Sequence, residues 1–173
     1  MSTVQSAAGA TRLHFEGNLD ELAADLLATA TPGGARSDVS QWMTRPGILR
    51  RIASQLSVPI AADADRILAV GPGAVVLGSA VSLATGLPFA AVGDEGPAFG
   101  SLHDDERVAV VSVDEEGLSM IDQLATRRVV TASIHLVMAR RSILDSRPAV
   151  PTFHLFLVDA AGGISVEEGP RHD

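Results

Sequence analysis

A chain of 173 residues that is 46% hydrophobic and 20% charged is too apolar to remain disordered and long enough to enclose one core. It has no cysteine, which excludes disulfides, thiolate nucleophiles and cysteine-ligated metal. All 13 basic residues are arginine, which excludes lysine Schiff bases and a P-loop lysine, and the formal net charge of −8 argues against nucleic acid as a partner.

The opening MSTVQSAAGATRLHFEG is small and polar and lacks the basic-then-apolar order of a signal peptide. Residues 1–17 are therefore read as a flexible lead and residues 18–173 as one domain. No apolar run is long enough for a membrane span, and with cysteine absent the expected location is cytoplasmic. Positions 18–30, NLDELAADLLATA, place Leu19, Leu22, Leu26 and Leu27 at helical spacing, with acids in the first turn where the helix dipole favours them. TPGGARSD breaks that pattern. A second helix is predicted from Pro46 to Leu56, with proline in its first turn and Ile48, Leu49, Ile52, Ala53 and Leu56 on one face.

From Arg66 the pattern changes. RILAV predicts a short buried strand, GPGA a turn, and VVLGSAVSLAT a helix stopped by Gly86. LPFAAV predicts the next strand and GDEGPAFGSLHDDE an acid-rich loop. RVAVVSV is a β-branched strand, DEEGLSMIDQLAT a turn into a further helix, and RVVTASIHLVMA another strand. Continuous apolar strands alternating with short helices predict an α/β fold, a mainly parallel sheet covered on both faces. TFHLFLVDAAGGISVEE reads as two strands around a turn, a C-terminal hairpin.

In an open parallel sheet, ligands bind beyond the carboxyl ends of the strands, where AVGPGAVVLGSA and VDEEGLS both fall. Two phosphate-binding patterns fail on named residues. A dinucleotide fingerprint is met at Gly71 and Gly73 but meets Val76 where its last glycine belongs; a P-loop frame from Gly73 to Gly78 is followed by Ser79 rather than lysine. The acids Asp114, Glu115 and Glu116 admit two readings: oxygen ligands for ribose or a hard cation, or a favourable charge set at a helix start. The histidines are scattered; His135 and His154, inside apolar runs, read as structural. Trp42 reads as core or interface, or as a cap on a site or a dimer surface. The arginine pairs Arg50–Arg51, Arg127–Arg128 and Arg140–Arg141 read as solvated helix or strand-end faces.

The order of these parts resembles the type I phosphoribosyltransferases, orotate phosphoribosyltransferase above all, over residues 37–140. SDVSQWMTRPGILRRIASQL is similar to the family's hood and following helix, DRILAVGPGAVVLGSAVSLATGLPFAAV to its pyrophosphate turn, and ERVAVVSVDEEGLSMIDQLATRRVVTASIHLVMAR to its signature strand, phosphate loop and next strand. The resemblance implies an N-terminal helical hood segment and a homodimer. It implies phosphoribosyl pyrophosphate as substrate, with magnesium as its companion cation. It would place Gly71, Pro72, Gly73, Ala74 and Val75 at the pyrophosphate through backbone amides. Asp114 and Glu115 would sit at the ribose hydroxyls and the magnesium, and Gly117, Leu118 and Ser119 at the 5′-phosphate.

Three departures bear on catalysis. The signature loop is shorter than the family's, with Glu116 where hydroxyls would grip phosphate. The loop after LPFAAV holds Asp94, Glu95, Asp104, Asp105 and Glu106 where the family has basic residues, leaving His103 or Arg107 to replace them. The loop lysine cannot come from a second copy of a lysine-free chain. The expectation is thus a non-catalytic or altered relative with a nucleotide- or phosphate-sized ligand or a protein partner, which could include a lysine-bearing active relative. An active enzyme transferring phosphoribosyl to orotate or another base is the first alternative, and a purely structural interaction module the second.

Overall fold

The computed structural model describes residues 19–29, 40–93, 96–115, 119, 128–146, 150–160 and 163–166. Elements are numbered within those residues. The lead at 1–17 lies outside them, as do Asp94, Glu95, Glu116, Gly117 and Leu118 and most of the segment read as a helix after β4.

Seven strands form one sheet in the order β3-β2-β1-β4-β5-β6-β7. They are β1 Arg66–Val70, β2 Phe89–Gly93, β3 Gly96–Phe99, β4 Arg107–Ser112, β5 Val130–Ala139, β6 Thr152–Val158 and β7 Ile164–Ser165. The central pairs β2·β1, β1·β4, β4·β5 and β5·β6 are parallel. The outer pairs β2·β3 and β6·β7 are antiparallel. β6 and β7 are the expected C-terminal hairpin.

β1 and β4 are buried on both faces because their side chains alternate between two apolar layers. Ile67, Ala69, Ala109 and Val111 meet Leu22 and Leu26 of α1 (19–29), Trp42 of α2 (Ser40–Met43), and Ile48, Ile52 and Leu56 of α3 (Pro46–Ser57). Leu77 and Val81 of α4 (Ala74–Thr85) complete this layer. Leu68, Val70, Val108 and Val110 face the opposite layer, where Leu144 of α5 (Arg141–Ser146) and Leu102 of the connection before β4 pack. Trp42 is thus a core residue, 4% exposed.

The acid-rich loop expected between LPFAAV and RVAVVSV is instead a strand between two connections. β3 returns alongside β2, with Pro97 on this outer strand where its missing N–H costs no central ladder bond. The chain therefore reaches residues 100–106 at the amino-terminal end of the sheet. There the Arg66 guanidinium donates from Nε and Nη2 to Glu106 at 2.9–3.1 Å, and Glu106 also accepts the His103 amide at 3.0 Å. Arg107 pairs with Asp63 at 2.9 Å, and Arg128 faces Asp104 and Asp105. This corrects the sequence reading. Asp104, Asp105 and Glu106 do not cover the carboxyl ends of the strands, and neither His103 nor Arg107 reaches them to stand in for a lysine. The two ends lie about 15 Å apart along β1.

Candidate functional site

The site begins with two glycines in the left-handed region. β1 ends at Val70, Gly71 has φ 83°, Gly73 has φ 70°, and α4 starts at Ala74. Side-chain-bearing residues pay about 1–2 kcal/mol for that backbone conformation, so glycine at both positions is what turns the strand into the helix so sharply. The turn is anchored from both sides. The Gly71 amide donates to the Val92 carbonyl of β2 at 3.0 Å, and the Ser112 hydroxyl of β4 donates to the Val70 carbonyl at 3.1 Å. Ser112 is fully buried, and the sequence reading did not single it out. Its one signal was a hydroxyl in an otherwise apolar strand.

Not every amide of this turn is available to a ligand. Pro72 has no N–H, and the Ala74 amide donates to the Gly71 carbonyl at 3.1 Å. The amides that an anion could engage are those of Gly73, Val75 and Val76, since a helix does not satisfy its own first-turn donors. Gly78 has a different task from the P-loop frame tested above. A Cβ there would lie 2.8 Å from the Ala69 Cβ and the Phe89 ring, so this glycine lets α4 rest directly on β1 and β2.

The register Val70↔Ser112 puts the second predicted segment beside the first. Val113 follows β4 and its carbonyl accepts the Met138 amide at 2.8 Å, so β4 and β5 stay paired to this end. Asp114 and Glu115 come next and are half-buried, and Ser119 is exposed. Gly117 and Leu118, assigned with Ser119 to the 5′-phosphate, lie outside the described residues.

Glu115 is paired with Arg140, which leaves the end of β5. Its side chain is 10% exposed against 45% for Arg140, so the guanidinium compensates a carboxylate that is largely withdrawn from water. Arg140 was read as a solvated strand end. The position holds, but the partner was not visible. The signal available was that RVVTASIHLVMA is followed by Arg140–Arg141 at the same edge as VDEEGLS. Glu115 is thus engaged by a guanidinium in this structure, and no cluster of three His, Cys, Asp or Glu able to hold a metal is found among the described residues.

His135 lies in the middle of β5, away from this edge. It is fully buried, its Nε2 lies 2.7 Å from the Ser133 hydroxyl, its ring stacks on Phe153 at 5.2 Å, and its Nδ1 has no hydrogen-bond partner among the described residues. Burial pushes its pKa down to about 4, so it is neutral near pH 7. Its apolar run implied a structural histidine with its polar atoms satisfied; the burial is as expected, but among the described residues only Nε2 is satisfied.

No protein-family model matches the sequence, and no curated protein does. Solved structures do. An orotate phosphoribosyltransferase of Mycobacterium tuberculosis H37Rv, in complex with inorganic phosphate, superimposes with a TM-score of 0.65 at 15% identity, over 82% of this chain and 95% of that one. A phosphoribosyltransferase of Corynebacterium diphtheriae gives 0.64 at 16%, over 82% and 95%. UMP synthase of Leishmania donovani gives 0.56 at 16%, over 71% of this chain, which spans only 33% of that protein. The chain has the type I phosphoribosyltransferase fold.

Proposed function

We propose that this protein binds a phosphate-bearing ligand of nucleotide size at the carboxyl ends of β1 and β4 and does not transfer a phosphoribosyl group. The observation that carries the reading is the turn at Gly71 and Gly73, two left-handed glycines that lead β1 into the amide-bearing start of α4. The M. tuberculosis orotate phosphoribosyltransferase with its inorganic phosphate supports phosphate as the first probe. The remote location of Asp104, Asp105 and Glu106 supports binding too, because it removes a repulsion that their sequence position implied.

The same geometry weighs against turnover. The chain has no lysine, and its nearest substitutes in sequence, His103 and Arg107, sit at the wrong end of the sheet. Glu115 is occupied by Arg140 rather than presented to a ribose. Losing one donor aimed at developing charge costs about 3–4 kcal/mol of barrier. A homodimer, or a mixed dimer with a lysine-bearing relative, is part of the proposal; co-purification with such a relative would support the mixed form.

Thermal unfolding tests the binding claim. Inorganic phosphate, pyrophosphate or a nucleoside monophosphate at ten times its dissociation constant should stabilise by about 1.4 kcal/mol, a rise of about 3–5 °C. If none of them moves the transition, the binding claim fails and the structural interaction module is favoured.

A further inference from the structure

Glu115 and Arg140 meet where β4 and β5 leave the sheet, one strand away from the glycine turn. A guanidinium at the open end of a parallel sheet is the group an incoming anion would seek. Here the chain supplies that anion itself. Glu115 is the more enclosed partner, so its carboxylate relies on Arg140 for the charge compensation that water would otherwise give.

We infer that Glu115 is an internal competitor that occupies the Arg140 guanidinium beside the strand ends, and that an acidic small molecule must displace it to bind there. The ligand class is a compact anion, phosphate or carboxylate, able to take two parallel donors of the arginine. The inference rests on the reading of this edge as a phosphate-binding site. It assigns the Glu115 carboxylate an inhibitory role rather than a ribose-binding one.

The test is isothermal titration of inorganic phosphate into the full chain and four variants, of which Arg140→Gln is the reference for the double variant. Glu115→Gln should bind phosphate about tenfold more tightly than the unaltered protein, because its neutral amide no longer competes for the guanidinium. Glu115→Asp, which keeps the charge but shortens the arm, should gain an intermediate amount. In Glu115→Gln with Arg140→Gln the gain should vanish. Removal of one negative charge acting only at long range would instead give the same gain with or without Arg140, and would leave Glu115→Asp unchanged. Either result overturns the inference, as does a Glu115→Gln affinity within about twofold of the unaltered chain. Glu115→Asp retains a carboxylate and serves if Glu115→Gln folds poorly. The outcomes separate the two proposals. Phosphate binding by the unaltered chain with no gain in Glu115→Gln sinks only the competitor. Binding confined to Glu115→Gln sustains the competitor and sinks ligand binding by the unaltered chain.

Discussion

Gly78 shows how one residue can satisfy a pattern for a reason unrelated to it. Its spacing from Gly73 imitates a phosphate loop, yet the space a Cβ would need is taken by Ala69 and Phe89. Gly78→Ala should destabilise by about 1–3 kcal/mol in chemical denaturation and leave phosphate affinity unchanged, because the clash lies under α4 and not at its start. His135 makes a second prediction at this scale. Unfolded, its imidazole takes up a proton near pH 6.5; folded, it resists until about 4. The unfolded chain therefore binds more protons between those values. The stability this neutral histidine contributes is complete above pH 6.5 and is lost as pH falls toward 4, by on the order of 3 kcal/mol. His135→Gln should flatten that part of a stability-against-pH curve; an unchanged slope would show that other groups set it. Burial inside an apolar strand was legible from the residues around His135. The stack on Phe153 was not, because it depends on β6 lying parallel to β5 in the register His135↔Phe153.

Among the elements, the strands and helices with one unambiguous period were legible nearly to the residue. RILAV is β1, and VVLGSAVSLAT with its Gly86 stop is α4, which gains only Ala74 at its start. β3 was not legible, because GPAF is short, lacks alternation and contains a proline. Missing it placed three acids at the wrong end of the sheet. Their true partners form the clamp of Arg66 with Glu106, both about 15% exposed. The guanidinium holds the Glu106 carboxyl below the usual carboxylate range against the opposing effect of burial. The stability from this pair is present above the carboxylate's unfolded pKa and is lost as pH falls through the lowered folded one. Glu106→Gln should cost about 2–3 kcal/mol at neutral pH by leaving Arg66 poorly compensated, measured by the urea midpoint. At the other end of β1, Gly73→Ala forces a side chain into φ 70°. It should lower stability by about 1–2 kcal/mol and weaken phosphate binding, read by titration of inorganic phosphate.

For the whole molecule, the parallel sheet and its glycine turn could be read from the chain because both follow from local chemistry: β-branched runs, helix stops and residues able to adopt positive φ. The pairing of the β4 and β5 ends could not. Glu115 and Arg140 are joined through the sheet and not through any local pattern, and their contact pairs with arginine a carboxylate that the resemblance assigned to ribose. On the function proposed above, the fold keeps a glycine turn that would bind an anion, in a chain without the lysine expected to drive the transfer. No helix among the described residues is long and apolar enough to cross a membrane. The most direct measurement is pyrophosphate release from phosphoribosyl pyrophosphate with magnesium and a panel of bases that includes orotate. The account predicts a rate indistinguishable from the protein-free reaction. Turnover in the ordinary enzymatic range of about 1–1000 per second would contradict it.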